Sequence, residues 1–128
     1  RRVGRCVEKH LLTYDPTNVF ARILRGEIPA EVLHEDEHCM AFLDVTPQAP
    51  THFLVIPKRE IATLSDATQE DEGLLGHLLV TAANVAKQLG VDQDGSRIVI
   101  NNGAGAGQTV FHLHVHVLAG RSFAWPPG

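Results

Sequence analysis

The stretch Phe111-His112-Leu113-His114-Val115-His116-Val117-Leu118 decides how this chain is read. Three histidines alternate with apolar residues. A strand turns successive side chains to opposite faces, so the spacing predicts a strand with its three imidazoles on one face. Phe111, Leu113, Val115 and Val117 would then anchor the other face in a core. A helix would fan the imidazoles about 100° apart per residue and leave no single apolar side. Just upstream, Asn101-Asn102-Gly103-Ala104-Gly105-Ala106-Gly107-Gln108-Thr109 reads as a glycine-rich loop feeding that strand. From Asn101 to Gly120 there is no Lys or Arg; Arg97 and Arg121 only flank the segment. A phosphate held there would rest on backbone N–H groups, hydroxyls and imidazoles, which suits a small ligand better than a nucleic-acid backbone.

The rest of the composition agrees. Eleven basic and fifteen acidic residues give a net charge of -4, which argues against a surface for nucleic-acid polymers. With 128 residues and 44% apolar composition, a single domain with a real core is expected over residues 17–128. Residues 1–16 read as a polar N-terminal arm. No apolar run approaches the roughly 20 residues needed to span a bilayer, and the Arg-rich start is too short in apolar residues for a secretory signal. Cys6 and Cys39 form no zinc-binding spacing. Two unpaired thiols point to a reducing, cytoplasmic setting.

Along the chain, Asp15, Thr17 and Asn18 offer cap chemistry for a short helix over about 19–25, stopped by Gly26. Segments 30–34 and 39–45 read as a hairpin, and 51–57 as a mostly buried strand ended by Pro57. A long helix is expected over about 68–89, with Thr68 and Asp71 at capping-box spacing and Gly90 as its stop. Gly73 and Gly76 weaken that helix, so either another helix or a second subunit is expected to pack closely there. A further strand spans 96–100. The fold class is α+β: an antiparallel sheet of about five strands, covered on one face by one long and one short helix. His10, His34 and His38 are expected in solvent, and His77 at the helix interface.

Three chemistries fit His112, His114 and His116. One is an ordinary half-exposed strand, although strict alternation of three histidines makes that a poor account. A second is a metal site, since a His-x-His pair can reach one zinc at about 2.0–2.1 Å. The outer pair, however, lies roughly 13 Å apart along a strand, and no acidic or Cys partner stands between Ser96 and Gly128. The third is covalent chemistry on phosphorus. Neutral imidazole is a nucleophile near pH 7, a neighbouring imidazolium can protonate a leaving group, and the loop N–H groups can cradle an anion. This chemistry needs no cofactor.

His112-Leu113-His114-Val115-His116-Val117-Leu118 matches the histidine-triad motif, His-φ-His-φ-His-φ-φ. Further runs extend the match: Phe20 through Ala30, Pro47 through Lys58, Leu74-Leu75-Gly76-His77-Leu78, Gly107-Gln108-Thr109-Val110-Phe111 and the Trp125-Pro126-Pro127-Gly128 ending. Together they resemble the Hint branch of the histidine-triad (HIT) family, over about residues 17–128. The resemblance implies a HIT-like fold whose sheet continues across a homodimer. It implies hydrolysis of purine nucleoside 5'-phosphoramidates at the P–N bond through a nucleotidyl-histidine intermediate, with AMP or GMP derivatives as substrates. By motif position His114 is the nucleophile, His116 contacts phosphate and assists the leaving amine, His112 positions the nucleophile and His52 supports the site. Asn101, Gly107, Gln108 and Thr109 would hold the α-phosphate. Asp44 would bind the ribose, and Val45, Phe42, Leu43, Phe20 and Ile23 would line the base pocket. Trp125 would reach toward the partner's site. One departure stands out: Hint proteins usually carry Ser where this chain has Thr109, and Gln-Thr-Val also resembles the fragile-histidine branch, which hydrolyses dinucleoside polyphosphates. A nucleotide-binding interaction module is the remaining alternative.

Overall fold

A computed structural model describes residues 13–128; most of the N-terminal arm, with His10 and Cys6, lies outside the described residues. Five antiparallel strands form one sheet: β1 (Val32–Glu35), β2 (Cys39–Leu43), β3 (Thr51–Pro57), β4 (Ser96–Val99) and β5 (Val115–Ala119), in the spatial order β1-β2-β3-β5-β4. Among the described residues two α-helices accompany it, α1 (Val19–Leu24) and α2 (Glu72–Gln88). Asn18 caps α1, its Oδ1 accepting from Ala21 N at 2.9 Å. Gly26 follows with φ +78°, a backbone region that favours glycine. The Thr68–Asp71 box closes as expected, Asp71 Oδ2 accepting from Thr68 N at 2.9 Å, but over a 3-10 turn, Gln69–Asp71. The long helix therefore begins at Glu72.

The central strands are buried on both faces because each face has its own helix. Alternation sends Ala41, Phe53, Val55, Val115 and Val117 toward Leu78, Ala82 and Val85 of α2. Met40, Phe42, Leu54 and Ile56 turn the other way and meet Phe20 of α1. The expectation that both helices cover one face is thus corrected. The six-residue α1 is anchored by Phe20, whose ring meets that of Phe42 at 5.6 Å between centroids in an edge arrangement. Gly73 and Gly76 do not mark a close intrachain crossing either, since a Cβ at either would meet nothing within 4 Å. Leu79 and Val80 beside them are about half exposed. No described helix is long and apolar enough to cross a membrane.

The histidine strand is shorter than its pattern suggests. β5 begins at Val115, and His112 and His114 precede it. The reason lies in its neighbour. The β3–β5 register runs from Thr51↔Ala119 to Val55↔Val115, and continuing it would set Pro57, which has no N–H, opposite Leu113. The chain peels away instead, and Leu113 N donates to Ile61 O at 2.7 Å. The alternation nevertheless survives the break. Leu113 enters the α2-side core, while the His112 and His114 rings stand edge-on to Phe20 on the opposite side.

Directly after β5, Gly120 has φ +96°, and a Cβ there would lie 2.8 Å from Pro50 Cβ. Pro50 is locked by its ring and cannot yield. Gly120→Ala is expected to lower stability by about 2–3 kcal/mol. Urea denaturation checks this; an unchanged midpoint would show that the Pro50 turn moves freely.

Candidate active site

A cavity of about 420 Å³ opens between α1, the end of β2 and the glycine loop. Its lining includes Phe20, Ile23, Phe42, Leu43, Asp44, Val45, Asn101, Gly107, Thr109, His114 and His116. Eleven of the fourteen residues expected at the site therefore converge on one concavity. The other three, His112, His52 and Gln108, lie behind its wall. Sequence reasoning did not assign Val19, Ile28, Pro29, Ala30, Thr46, Leu54 and Val110 to the site, though they also line it; no side-chain chemistry of theirs points to a ligand. A neighbouring cavity of about 440 Å³ shares Val19, Thr109 and Val110 but holds none of the imidazoles.

The ring protons can be located from partners that act only as acceptors or donors. His114 Nδ1 lies 2.7 Å from the carbonyl oxygen of His112. A carbonyl only accepts, so Nδ1 carries the proton and Nε2 keeps a free lone pair. His52 Nδ1 accepts from Gln48 N at 3.0 Å, so the His52 proton sits on Nε2. That N–H faces His116 Nδ1 at 2.9 Å, with Asp44 Oδ2 at 3.4 Å. His116 Nδ1 is thus an acceptor, and its own proton resides on Nε2. Adjacent imidazoles on one face therefore show opposite polarity: His114 offers a lone pair and His116 an N–H. Their ring centroids are 5.0 Å apart.

His112 is fully buried. Its Nε2–H donates to Pro57 O at 2.8 Å, and its Nδ1 accepts from the Tyr14 hydroxyl. The hydrogen bond between His112 and His114 thus runs through the His112 main-chain carbonyl, not its ring. Tyr14 belongs to the segment read as a polar arm, and no sequence signal marked it. Gln108 braces the loop: its Oε1 accepts from Gly103 N at 2.8 Å, while Nε2 donates to Ala62 O at 2.8 Å and Val110 O at 3.0 Å. Its side-chain amide is spent internally. Gly107, at φ +95°, makes the left-handed turn that returns the chain toward Thr109. Asp44 is held in a tight turn, its Oδ1 accepting from Thr46 N at 2.8 Å. Val45 is almost fully exposed on the rim, and Trp125 stands exposed outside this cavity.

All four imidazoles are driven toward the neutral form. Burial lowers His114, opposed by the His112 carbonyl and by Asp44. Burial likewise lowers His52 against the pull of Asp44, and His112 against that of the Pro57 carbonyl. His116 falls furthest, to about 4, through burial and then the mutual repulsion of His114 and His52. These pKa values lie below the unfolded value of about 6.5. Between folded and unfolded pKa the unfolded chain holds more protons, so stability is full above about pH 6.5 and falls as pH drops toward 4. His116 alone is expected to account for about 2 kcal/mol of the loss between pH 7 and 4.5. Urea unfolding at the two pH values checks this, and the difference should shrink in His116→Gln. An equal loss in that variant would contradict the assignment.

Asp44, His52 and His116 also bring one oxygen and two nitrogens within 4.8 Å of one another. The same atoms are joined by the His52–His116 hydrogen bond and the His52–Asp44 contact.

With that geometry in place, comparison with known proteins gives a family. The model of the HIT domain matches residues 25–123. The chain belongs to the HIT family. An uncharacterised HIT-like protein of Synechocystis is 59% identical over 110 residues, covering 86% of this chain and 96% of the relative. Among solved structures, a HIT family hydrolase from Legionella pneumophila superposes with a TM-score of 0.85 at 46% identity, over 88% of this chain and all of that one. A histidine triad nucleotide-binding protein from Candida albicans gives a TM-score of 0.74 at 31% identity, covering 86% and 83%. The five-stranded sheet with one long helix is the HIT fold.

Proposed function

We propose that this HIT protein is a Hint-type purine nucleoside phosphoramidase. The observation that carries the reading is the opposite polarity of His114 and His116 in a cavity with an apolar floor and a carboxylate at its edge. Phe20, Ile23, Phe42 and Leu43 take the purine, Asp44 and the exposed Val45 flank the ribose, and Asn101, Gly107, the Gln108 backbone and Thr109 take the α-phosphate. The bound phosphate's negative charge favours the ionised form, so the His116 ring takes up a second proton from solvent and enters the reaction as an imidazolium. His114 Nε2 attacks phosphorus. The P–N bond breaks, the amine leaves with a proton from His116, and the nucleotidyl group stays on His114. The new positive charge on the His114 ring is steadied by the Nδ1–H bond to the His112 carbonyl. Water then attacks phosphorus and gives its proton to His116, releasing the nucleoside monophosphate and regenerating His114. His52, with Asp44 beside it, orients His116.

The reading extends to a homodimer in the cytoplasm. β4 is an edge strand with Ile98 about half exposed, and α2 presents Leu79 and Val80 beside the open Gly73 and Gly76. A partner joining there would continue the sheet and place its tail near this cavity. The tail is braced for that: the Arg97 guanidinium donates to Ala124 O at 2.9 Å, and Arg121 stacks on Phe123 at 4.3 Å. Trp125 is left free at the tip.

Thr109 at the loop's end keeps the fragile-histidine activity as the second reading. Measuring kcat/KM for adenosine 5'-phosphoramidate and for a dinucleoside polyphosphate separates the two. At least about a hundredfold preference for the phosphoramidate is expected, with a mass increase of one nucleotidyl group on His114 after rapid quench. A preference for the polyphosphate would assign the chain to the second branch. Nucleotide binding with no turnover of either would leave an interaction module.

A further inference from the structure

On the opposite side of the sheet from the triad, three metal-ligating side chains from three elements meet at one carboxylate. Asp36 sits in the turn between β1 and β2. Its Oδ1 caps that turn, accepting from His38 N at 2.7 Å and Cys39 N at 2.9 Å. Its Oδ2 is approached by His34 Nε2 of β1 at 2.8 Å, by His77 Nε2 of α2 at 2.8 Å and by the Cys39 thiol of β2 at 3.5 Å. The donor atoms of His34, Asp36 and Cys39 all lie within 4.8 Å of one another.

We propose that His34, Asp36 and Cys39 form a zinc site, with His77 holding the Asp36 carboxylate in place. The donors are one imidazole nitrogen, one carboxylate oxygen and one sulfur, the mixed N/O/S set that a borderline-soft, tetrahedral ion accepts. With Zn–S about 2.3 Å and Zn–O about 2.0 Å, tetrahedral geometry sets sulfur and oxygen about 3.5 Å apart. The Cys39–Asp36 separation meets that spacing without rearrangement. The imidazole needs only to draw back a few tenths of an ångström from hydrogen-bonding distance to a ligand-ligand edge.

His77 is outside the mutually close set of three but touches the same oxygen. Its N–H therefore serves the carboxylate, the role that partners of metal-ligating groups commonly play. Water completes the fourth position, reached past the partly exposed His34 and Asp36 side chains.

Charge balance favours the ion. Asp36 and a Cys39 thiolate together neutralise Zn²⁺, so the buried sulfur carries no uncompensated charge. Burial pushes the metal-free thiol up to about 11. It enters the site by losing its proton to solvent as the Zn–S bond forms, while His34, whose Nε2–H donates to Asp36 in the metal-free protein, shifts its proton to Nδ1 and coordinates through Nε2. The ion would then pin the β1–β2 hairpin, which leads into Asp44 and the cavity, to the long helix through His77.

The test uses the full chain, freed of metal by a chelator, in a Cys6→Ser background so that Cys39 is the only thiol. Titration with Co²⁺ is expected to develop a thiolate-to-cobalt charge-transfer band saturating at one equivalent. One equivalent of Zn²⁺ should bleach it and raise Tm. His34→Ala and Cys39→Ser are expected to abolish the band, and His77→Ala to weaken zinc binding about ten- to hundredfold. Circular dichroism confirms folding. If Cys39→Ser fails to fold, His34→Ala, a substitution at a partly exposed strand position, decides alone. The proposal is overturned by the absence of a band at one equivalent, by unaltered zinc affinity in His34→Ala, or by binding that is lost in His116→Ala and kept in Cys39→Ser.

Discussion

Replacing His114 by alanine is expected to cut kcat/KM for adenosine 5'-phosphoramidate by about 10⁴-fold or more, a loss typical of removing a covalent nucleophile. The expectation follows from the assigned protons. The His112 carbonyl takes the Nδ1–H, so Nε2 is the unprotonated nitrogen that His114 presents. His116, the alternative nucleophile, has its Nδ1 occupied by His52 and its proton on Nε2. The fold should survive. His114 loses one hydrogen bond and an edge contact with Phe20 at 4.9 Å, a cost of about 1–3 kcal/mol. Nucleotide binding should persist, because Phe20, Phe42 and Asp44 remain. Turnover by the folded variant above about one part in a hundred of wild type, an order-of-magnitude threshold set by that expected loss, would remove His114 from the covalent step. Quench-and-mass measurement on His116→Ala then asks whether the nucleotidyl group still arrives on His114.

The second large effect separates two neighbours that the motif treats alike. His112→Leu is expected to cost stability far more than catalysis. The ring is fully buried and bridges Pro57 O to the Tyr14 hydroxyl. Leucine fills much of the space but leaves a buried carbonyl without a partner, for a loss of about 2–4 kcal/mol and a Tm lower by roughly 8–15 °C. The carbonyl of residue 112 still holds His114 Nδ1, because the main chain is unchanged. Below the transition temperature, kcat/KM should therefore fall by only about tenfold. A drop as deep as that of His114→Ala with an unaltered Tm would show that the imidazole itself takes part in the chemistry. Tyr14→Phe offers a milder companion, since it removes only the hydroxyl side of the bridge.

Where sequence and structure diverge, the cause is a particular neighbour. The apolar positions of residues 39–43 and 51–57 give their strands directly, since side-chain alternation is a property of the local backbone. The convergence of Phe20, Asp44, Thr109 and His116 on one cavity was legible only through the family resemblance, because those positions are far apart in the chain. Three features were not legible. The early end of the histidine strand depends on Pro57 standing across from Leu113. The placement of α1 on the face opposite α2 depends on which side of the sheet Phe20 finds Phe42 and Leu54. His34 and His77, expected in solvent and at a helix interface, meet at Asp36 because the β1–β2 turn docks beside α2.

By itself, then, the sequence determined that His112, His114 and His116 would share a face, that a glycine-rich loop without basic residues would stand beside them, and that the fold would be α+β. These follow from period-two alternation and from side-chain chemistry, which need no long-range information. Only the tertiary structure decided which ring nitrogen of each imidazole carries the proton. A histidine becomes a lone-pair donor or a proton donor according to which partner takes its other nitrogen. Those partners, the His112 carbonyl for His114 and the His52 ring for His116, are set by how the chain turns at residue 112 and by how β3 pairs with β5.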